Sequence, residues 1–586
     1  MLSNLNIHAA PAAMAIFDSG VQSLAKLSVL DLAVIVVYFL MVIWIGFYLK
    51  QKANTSEEFF MAGREMTAWI AGLSFVSANL GSLELMGWAG SAYQYGILAT
   101  HWYWVGAIPA MIFLGIVMMP FYYVSKTHSV PGYLKLRYGQ GSSVLSAISF
   151  AFMTILMSGV NMFSMALVMK VVLGWDITFS IFVSSVAVAI YVGLGGLRSA
   201  IFNEVLQFVL IWAGALLVPI LGLWEAGGWT NLKAKIAVNY AGQNYTHLWS
   251  TMGHFKDNPM GVHWTGIIFG LGFVISFGYW TTDFLVVQRV LAANSLRAAR
   301  MAPVIGSFFK MAVPFIVILP GLLGLVVLQN PDGSLMHLVG ENMIKPGLHS
   351  YNEVLPLMMV RYLGPGLLGL GITALIAGFM SGMAGNVSAF AAVWTYDIYQ
   401  PLIRKKAPDS HYVAVGRWSI VLGVLVSIGA AYLVMNSSGI MDYVQALFSF
   451  FIAPLFGAIL VGMFWKRATA AGGFWGLLAG TVSSIGLWAW VKFDPTHQAL
   501  ARVALSPDAK DMAENMYRAL WSWIICVLVI IAVSFVTKPK TKAELSGLVY
   551  GETIIPHEEP VPFYKSLWFW TAIVIVLFLA VNILFW

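Results

Sequence analysis

The chain has 586 residues, 60% of them apolar and 10% charged, with a formal net charge of +7 and a mean hydropathy of +0.81. A soluble chain of that length would form about three or four domains, but water could not keep so apolar a chain monomeric. Soluble enzymes, nucleic-acid binders and secreted disulfide scaffolds are therefore excluded. The single cysteine, Cys526, permits no internal disulfide.

A bilayer core about 30 Å thick takes about 20 helical residues per crossing. Continuous apolar runs of that kind predict helices over 29–49, 66–97, 101–124, 143–173, 177–194, 203–227, 263–289, 303–329, 366–396, 411–435, 440–465, 472–493, 519–537 and 567–586. The expectation is an all-α, polytopic membrane protein of about 14 transmembrane helices, since barrel strands would alternate rather than run continuously. The first 28 residues lack a basic start followed by a cleavable apolar core and read as a tail. Lys50, Lys52, Arg64, Lys126, Lys135, Arg137, Arg198, Arg297, Arg300, Arg404, Lys405, Lys406, Lys466, Arg467, Lys538, Lys540 and Lys542 fall in connections on one side. The positive-inside rule makes that side cytoplasmic and puts both termini outside a plasma or inner membrane. The longest polar stretches are too short for an ordinary soluble domain, and no P-loop occurs to suggest an ATP-driven pump.

Charges and small polar clusters inside a span are what lipid should reject. The span from Ala68 carries Gly72, Asn79, Gly81, Ser82 and Glu84, and is predicted to break near its middle. A packing seam between helices is the plainer reading of its glycines and serines, but not of Glu84. A second such place, Ser276 to Asp283, again sets glycine, hydroxyls and a carboxylate within a span. The first opens five crossings (66–227) and the second another five (263–465), an odd number that inverts the halves. A leading helix and loop (29–65) and trailing helices (466–586) complete one transmembrane domain. Paired broken helices in inverted repeats hold solute and ions in secondary transporters, where unwound carbonyls face cations.

Five further polar groups lie within spans: Glu204, Lys310, Arg417, Asp442 and Gln445. A lone ammonium at mid-membrane costs about 3 kcal/mol or more, so Lys310 needs a partner such as Glu84 or Asp283, or a watery cavity. Glu204 is near a cytoplasmic end, where snorkelling to water is as reasonable as a functional role. Asp442 is expected to cap its helix, and Gln445, one turn further in, either faces a cavity or packs within the bundle.

Phe60-Met-Ala-Gly-Arg64, the Ser77-to-Gly90 segment, Val130-Pro-Gly-Tyr-Leu-Lys-Leu-Arg137-Tyr-Gly, Gly195 to Gln207, Tyr279-Trp-Thr-Thr-Asp-Phe-Leu-Val-Val-Gln-Arg289 and Phe464-Trp-Lys-Arg467 resemble the sodium/solute symporter family, and within it the sodium/glucose cotransporter branch. The resemblance covers nearly the whole chain and implies a five-plus-five inverted-repeat core of leucine-transporter type. It implies that Lys310 and Gln445 contact sugar and that Asn79, Tyr279, Trp280 and Asp283 stand in the pocket. Two positions depart from the branch. Its usual Glu before Trp is Tyr103, and its usual Gln or His in the first broken helix is Glu84. For sodium the resemblance implies Ser77, Leu80, Gly378 and Ser381; Gly382 replaces a usual serine and leaves the site one protein oxygen short, so that Gly382→Ser should tighten sodium binding.

The function implied is sodium-coupled symport of a sugar or polyol into the cell by alternating access. The alternatives are proton coupling through Glu84, Glu204 or Asp283 with another small polar solute, or a solute sensor that keeps the fold. No nucleophile–base pair or metal-ligand cluster suggests an enzyme. The partners expected are the solute, Na+ as coupling ion and the lipid bilayer, with no cofactor, nucleic acid or obligate protein partner.

Overall fold

In lipid a backbone can satisfy its own polar groups only as a helix or a closed barrel, and the long apolar runs take the first course. A computed structural model describes residues 27–50, 55–330, 332–340, 349–435, 437, 439–496, 498–556 and 558–586, without the side chains of residues 50, 56 and 187–195. The expected tail, apart from its last two residues, and Lys52 lie outside them. Among the described residues there are helices and three isolated bridges but no strand.

The membrane helices are α1 (Val29–Leu49), α2 (Ala68–Asn79), α3 (Ser82–Thr100), α4 (Trp102–Val124) and α5 (Gln140–Leu173). Then come α6 (Ile177–Ala215) and α7 (Leu217–Ala226). They are followed by α8 (Gly266–Thr282), α9 (Phe284–Leu291), α10 (Leu296–Val327), α11 (Leu367–Leu402), α12 (Asp409–Val434) and α13 (Ile440–Phe464). The trailing helices are α14 (Ala470–Phe493), α15 (Asp511–Val536) and α16 (Leu567–Leu584). Side-chain caps start several of them: Thr67 accepts from the Ile70 amide, Ser295 from that of Ala298, and Thr469 from that of Gly472.

Both expected interruptions are present. The chain bends by 57° between α2 and α3 and by 49° between α8 and α9. The start of α2 is pinned beside the end of α9, with the Met66 amide donating to the Ala292 carbonyl at 3.0 Å and the Asn294 amide to the Met66 carbonyl at 2.9 Å. The first broken span therefore begins where the second ends, as an inverted pair requires. Among the unbroken crossings α11 is the most enclosed, whereas α1, α14, α15 and α16 are the least buried.

Eleven helices among the described residues are long and apolar enough to cross a bilayer, or up to thirteen with each bent pair counted as one span. The expected count of fourteen is not confirmed among the described residues, where the run at 177–194 opens α6 and appears as the shorter apolar helix Ile177–Val186. Two boundaries are corrected. The connection placed before 203 is helical, with one non-helical residue at Gly196 (φ 59°, ψ −156°), a backbone state open to glycine at little cost. Helix α15 starts at Asp511 rather than 519. Its polar first turns are held by protein: Asn515 donates to the Asp442 carbonyl at 2.9 Å and Arg518 to Ser449 Oγ at 3.0 Å.

Candidate functional site

The breaks place polar side chains where lipid cannot reach them. Asn79 ends α2, Glu84 lies in the first turn of α3, and Asp283 caps α9, accepting from the Leu285 amide at 2.9 Å. Helix α4 brings Tyr103, α8 brings Tyr279 and Trp280, α10 brings Lys310, and α13 brings Gln445. All eight line one cavity, together with Trp88, Trp102, Asn161, Gly382, Met441 and Phe448.

Lys310 is the centre of the polar network. Its ammonium lies 2.9 Å from Glu84 Oε1, with the two side chains 1% and 8% exposed, and it also donates to Asn79 Oδ1. Tyr103 donates its hydroxyl to the same Glu84 oxygen at 2.9 Å, and the Asn79 amide donates to the Tyr279 hydroxyl at 2.9 Å. The ammonium further sits 4.9 Å from the Tyr103 ring centre and 5.2 Å from that of Trp280, a cation–π arrangement. Of the two partners foreseen for Lys310, the structure selects Glu84. At Tyr103, where the resemblance leads to the expectation of a carboxylate, a hydroxyl binds the Glu84 carboxylate.

The remaining walls are aromatic. Tyr279 packs on Phe448 at 4.9 Å and edge-on against Trp280 at 5.2 Å, while Trp88 packs against Trp102 at 4.9 Å and Tyr103 at 5.9 Å. Gln445 faces the cavity, and its Oε1 is buried with no hydrogen-bond partner among the described residues. A buried amide oxygen of that kind calls for a ligand or a water. Asp442 is not the helix cap expected of it: α13 begins at Ile440 without a side-chain cap, and Asp442 accepts from the Tyr95 hydroxyl at 3.2 Å.

Beside the first break, oxygens gather between α2 and α11. Ser381 Oγ donates to the Ser77 carbonyl at 2.8 Å and lies 3.1 Å from Ser77 Oγ. Gly378 stands so close to the unwound backbone that a Cβ there would come within 3.0 Å of the Leu80 carbonyl oxygen. Carbonyl and hydroxyl oxygens in such a group suit a hard cation.

Glu204 does not snorkel. It is fully enclosed against Arg289, 2.6 Å from the guanidinium with neither side chain exposed, and accepts from Ser74. Arg289 also donates to the Leu285 carbonyl at 2.8 Å, so this pair ties α6 and α2 to α9. Arg137, counted above among the loop charges, is likewise buried and donates to the carbonyls of Gly462, Ala468 and Trp465. Sequence reasoning did not single out Arg289 as a partner or Asn161 as a cavity residue. The signal for Asn161 was a lone carboxamide inside an otherwise apolar span.

A 422-residue stretch, 59–480, matches the pattern of the family described as the Sodium:solute symporter family. The chain belongs to that family. The symporter is 30% identical over 557 residues to "Sodium/glucose cotransporter 4" of Homo sapiens, a match spanning 92% of this chain and 81% of the relative. It is 28% identical over 542 residues to "Sodium/glucose cotransporter 1" of Ovis aries, spanning 89% and 81%. A solved structure described as the substrate-bound outward-open state of a Na+-coupled sialic acid symporter superposes with a TM-score of 0.69 at 19% identity, covering 88% of this chain and 100% of that one. That likeness shows the fold, with its broken helices and inverted repeats. The protein is thus a multi-pass, sodium-coupled solute symporter.

Proposed function

We propose that the symporter carries a neutral sugar or polyol into the cell together with sodium, by alternating access from a plasma or inner membrane. The observation that carries this reading is that Lys310, the one cation among the described lining residues, is already paired with Glu84. With Asp283 the lining holds two carboxylates against one ammonium, a balance that disfavours an anionic solute. A neutral polyhydroxylated ring suits what is left. Its hydroxyls can donate to Glu84 and to the unpartnered Gln445 oxygen and accept from Asn79 and Lys310. Its C–H faces can lie on Tyr103, Tyr279 and Trp280, whose ring faces carry partial negative charge. Relatives named as sodium/glucose cotransporters support the sugar class.

In this reading sodium rests on the carbonyls of Ser77, Leu80 and Gly378 and the Ser381 hydroxyl. It stabilises an outward-open arrangement, solute binding permits closure, and rocking of the two repeats (66–227 and 263–465) delivers both to the cytoplasm. The basic connections face the cytoplasm and both termini lie outside. Competition for uptake tests the solute class. Neutral sugars or inositol should displace the substrate better than sialate or lactate, and the reverse order would remove the sugar assignment.

A further inference from the structure

The sodium oxygens named above lack a partner at Gly382, yet the space beside that residue is not empty. A Cβ on Gly382 would point at the Asn161 carboxamide, 3.0 Å from its Oδ1 and 3.2 Å from its Nδ2, with Gly81 Cα at 3.0 Å. A Cβ on Gly81 would meet the same Oδ1 at 2.7 Å. The carboxamide of Asn161, reaching in from α5, thus occupies the notch that two glycines leave open, one in the break of the first span and one on α11.

Asn161 is 1% exposed, and its hydrogen bonds leave the oxygen largely uncommitted. Among the described residues the amide nitrogen donates to the Met157 carbonyl at 3.4 Å, and Oδ1 receives only a long contact from Ser82 Oγ at 3.5 Å. An amide oxygen has two lone pairs, so it retains the capacity to ligate a cation. The same Ser82 hydroxyl donates to the Asn161 backbone carbonyl at 3.2 Å, which holds α5 against the break.

We propose that the Asn161 carboxamide oxygen supplies the sodium ligand that Gly382 lacks, so that the cation site is completed from α5. The proposal rests on the sodium site described under the proposed function. It removes the expectation that Gly382→Ser alone tightens sodium binding, because the new side chain would collide with the group that has taken its place. Asn161 also lines the solute cavity, so one side chain would meet both the ion and the space that the solute enters.

The test is sodium-dependent stabilisation of the purified full chain, with no solute present. Thermal unfolding is followed across sodium chloride concentrations at ionic strength held constant with choline chloride, since an ion that binds only the folded state raises the midpoint. Asn161→Ala, and the near-isosteric Asn161→Leu, should raise the half-stabilising sodium concentration about tenfold, the loss of one charge-assisted contact. Asn161→Asp, which keeps an oxygen, should stay within about threefold of the parent, as should Asn161→Ala combined with Gly382→Ser. Gly382→Ser alone should weaken the response. A parental response in both Asn161→Ala and Asn161→Leu would overturn the proposal while leaving the sodium site standing, as would a double variant no better than Asn161→Ala. A parent protein indifferent to sodium would remove the sodium site and this proposal together.

Discussion

Replacing Glu84 by glutamine removes the anion from Lys310 and changes little else, because the side chains are alike in size. The ammonium is 2.9 Å from its carboxylate and 1% exposed, so their attraction at an effective dielectric of about 20 is on the order of 6 kcal/mol. What remains, the Asn79 carbonyl and two ring faces, replaces only part of that, since each cation–π contact contributes about 1 to 2 kcal/mol. Breaking a buried pair by removing one partner costs about 3 to 5 kcal/mol, and Glu84→Gln and Lys310→Met should each lie in that range. The double variant leaves no charge uncompensated and should regain about 3 kcal/mol of the summed loss. Unfolding in detergent measures the stabilities, and uptake into proteoliposomes measures transport, which should be lost in all three because each lacks a proposed solute contact. A Glu84→Gln protein within about 0.5 kcal/mol of the parent, or strictly additive effects in the double variant, would show that the pair does not neutralise the pocket.

Tyr279→Phe removes the acceptor of the Asn79 amide, and an unmet buried donor costs about 1 to 2 kcal/mol, so the folded protein should lose about that much stability in the unfolding assay. Gly378→Ala sets a methyl group 3.0 Å from the Leu80 carbonyl oxygen and should raise the half-saturating sodium concentration about tenfold, while solute affinity at saturating sodium stays near the parent's. Glu204→Gln leaves Arg289 unpaired with no exposed surface and should destabilise the folded protein by about 3 kcal/mol, a loss that Glu204→Gln with Arg289→Met should largely reverse in the same unfolding assay.

The architecture was legible because lipid imposes a coarse rule: long apolar runs become helices, and the residues that break the rule mark the site. Asn79, Gly81 and Glu84 in one span and Tyr279 to Asp283 in another signalled both bends, and Lys310 signalled a partner by its cost. That rule fails where protein rather than lipid surrounds a polar residue. The first turns of α15, from Asp511 to Arg518, were read as outside the membrane because they are polar, yet Asp442 and Ser449 on α13 hold them in helix. Sequence left Glu204 open between reaching for water and a functional role because its partner, Arg289, is 85 residues away in the chain. Distance along the sequence hid Asn161 in the same way. Its meaning depends on Gly81 and Gly382 lying on either side of it, and no local spacing encodes that meeting of three helices.

Sodium-driven accumulation of a neutral sugar is the central claim, and one measurement addresses it directly. The purified symporter is reconstituted into vesicles, and labelled glucose or inositol uptake is compared under an inward sodium gradient at equal pH and under an inward proton gradient without sodium. The account predicts transient accumulation above the external concentration in the first case and none in the second. Accumulation driven by the proton gradient alone, or mere equilibration under both, would contradict it.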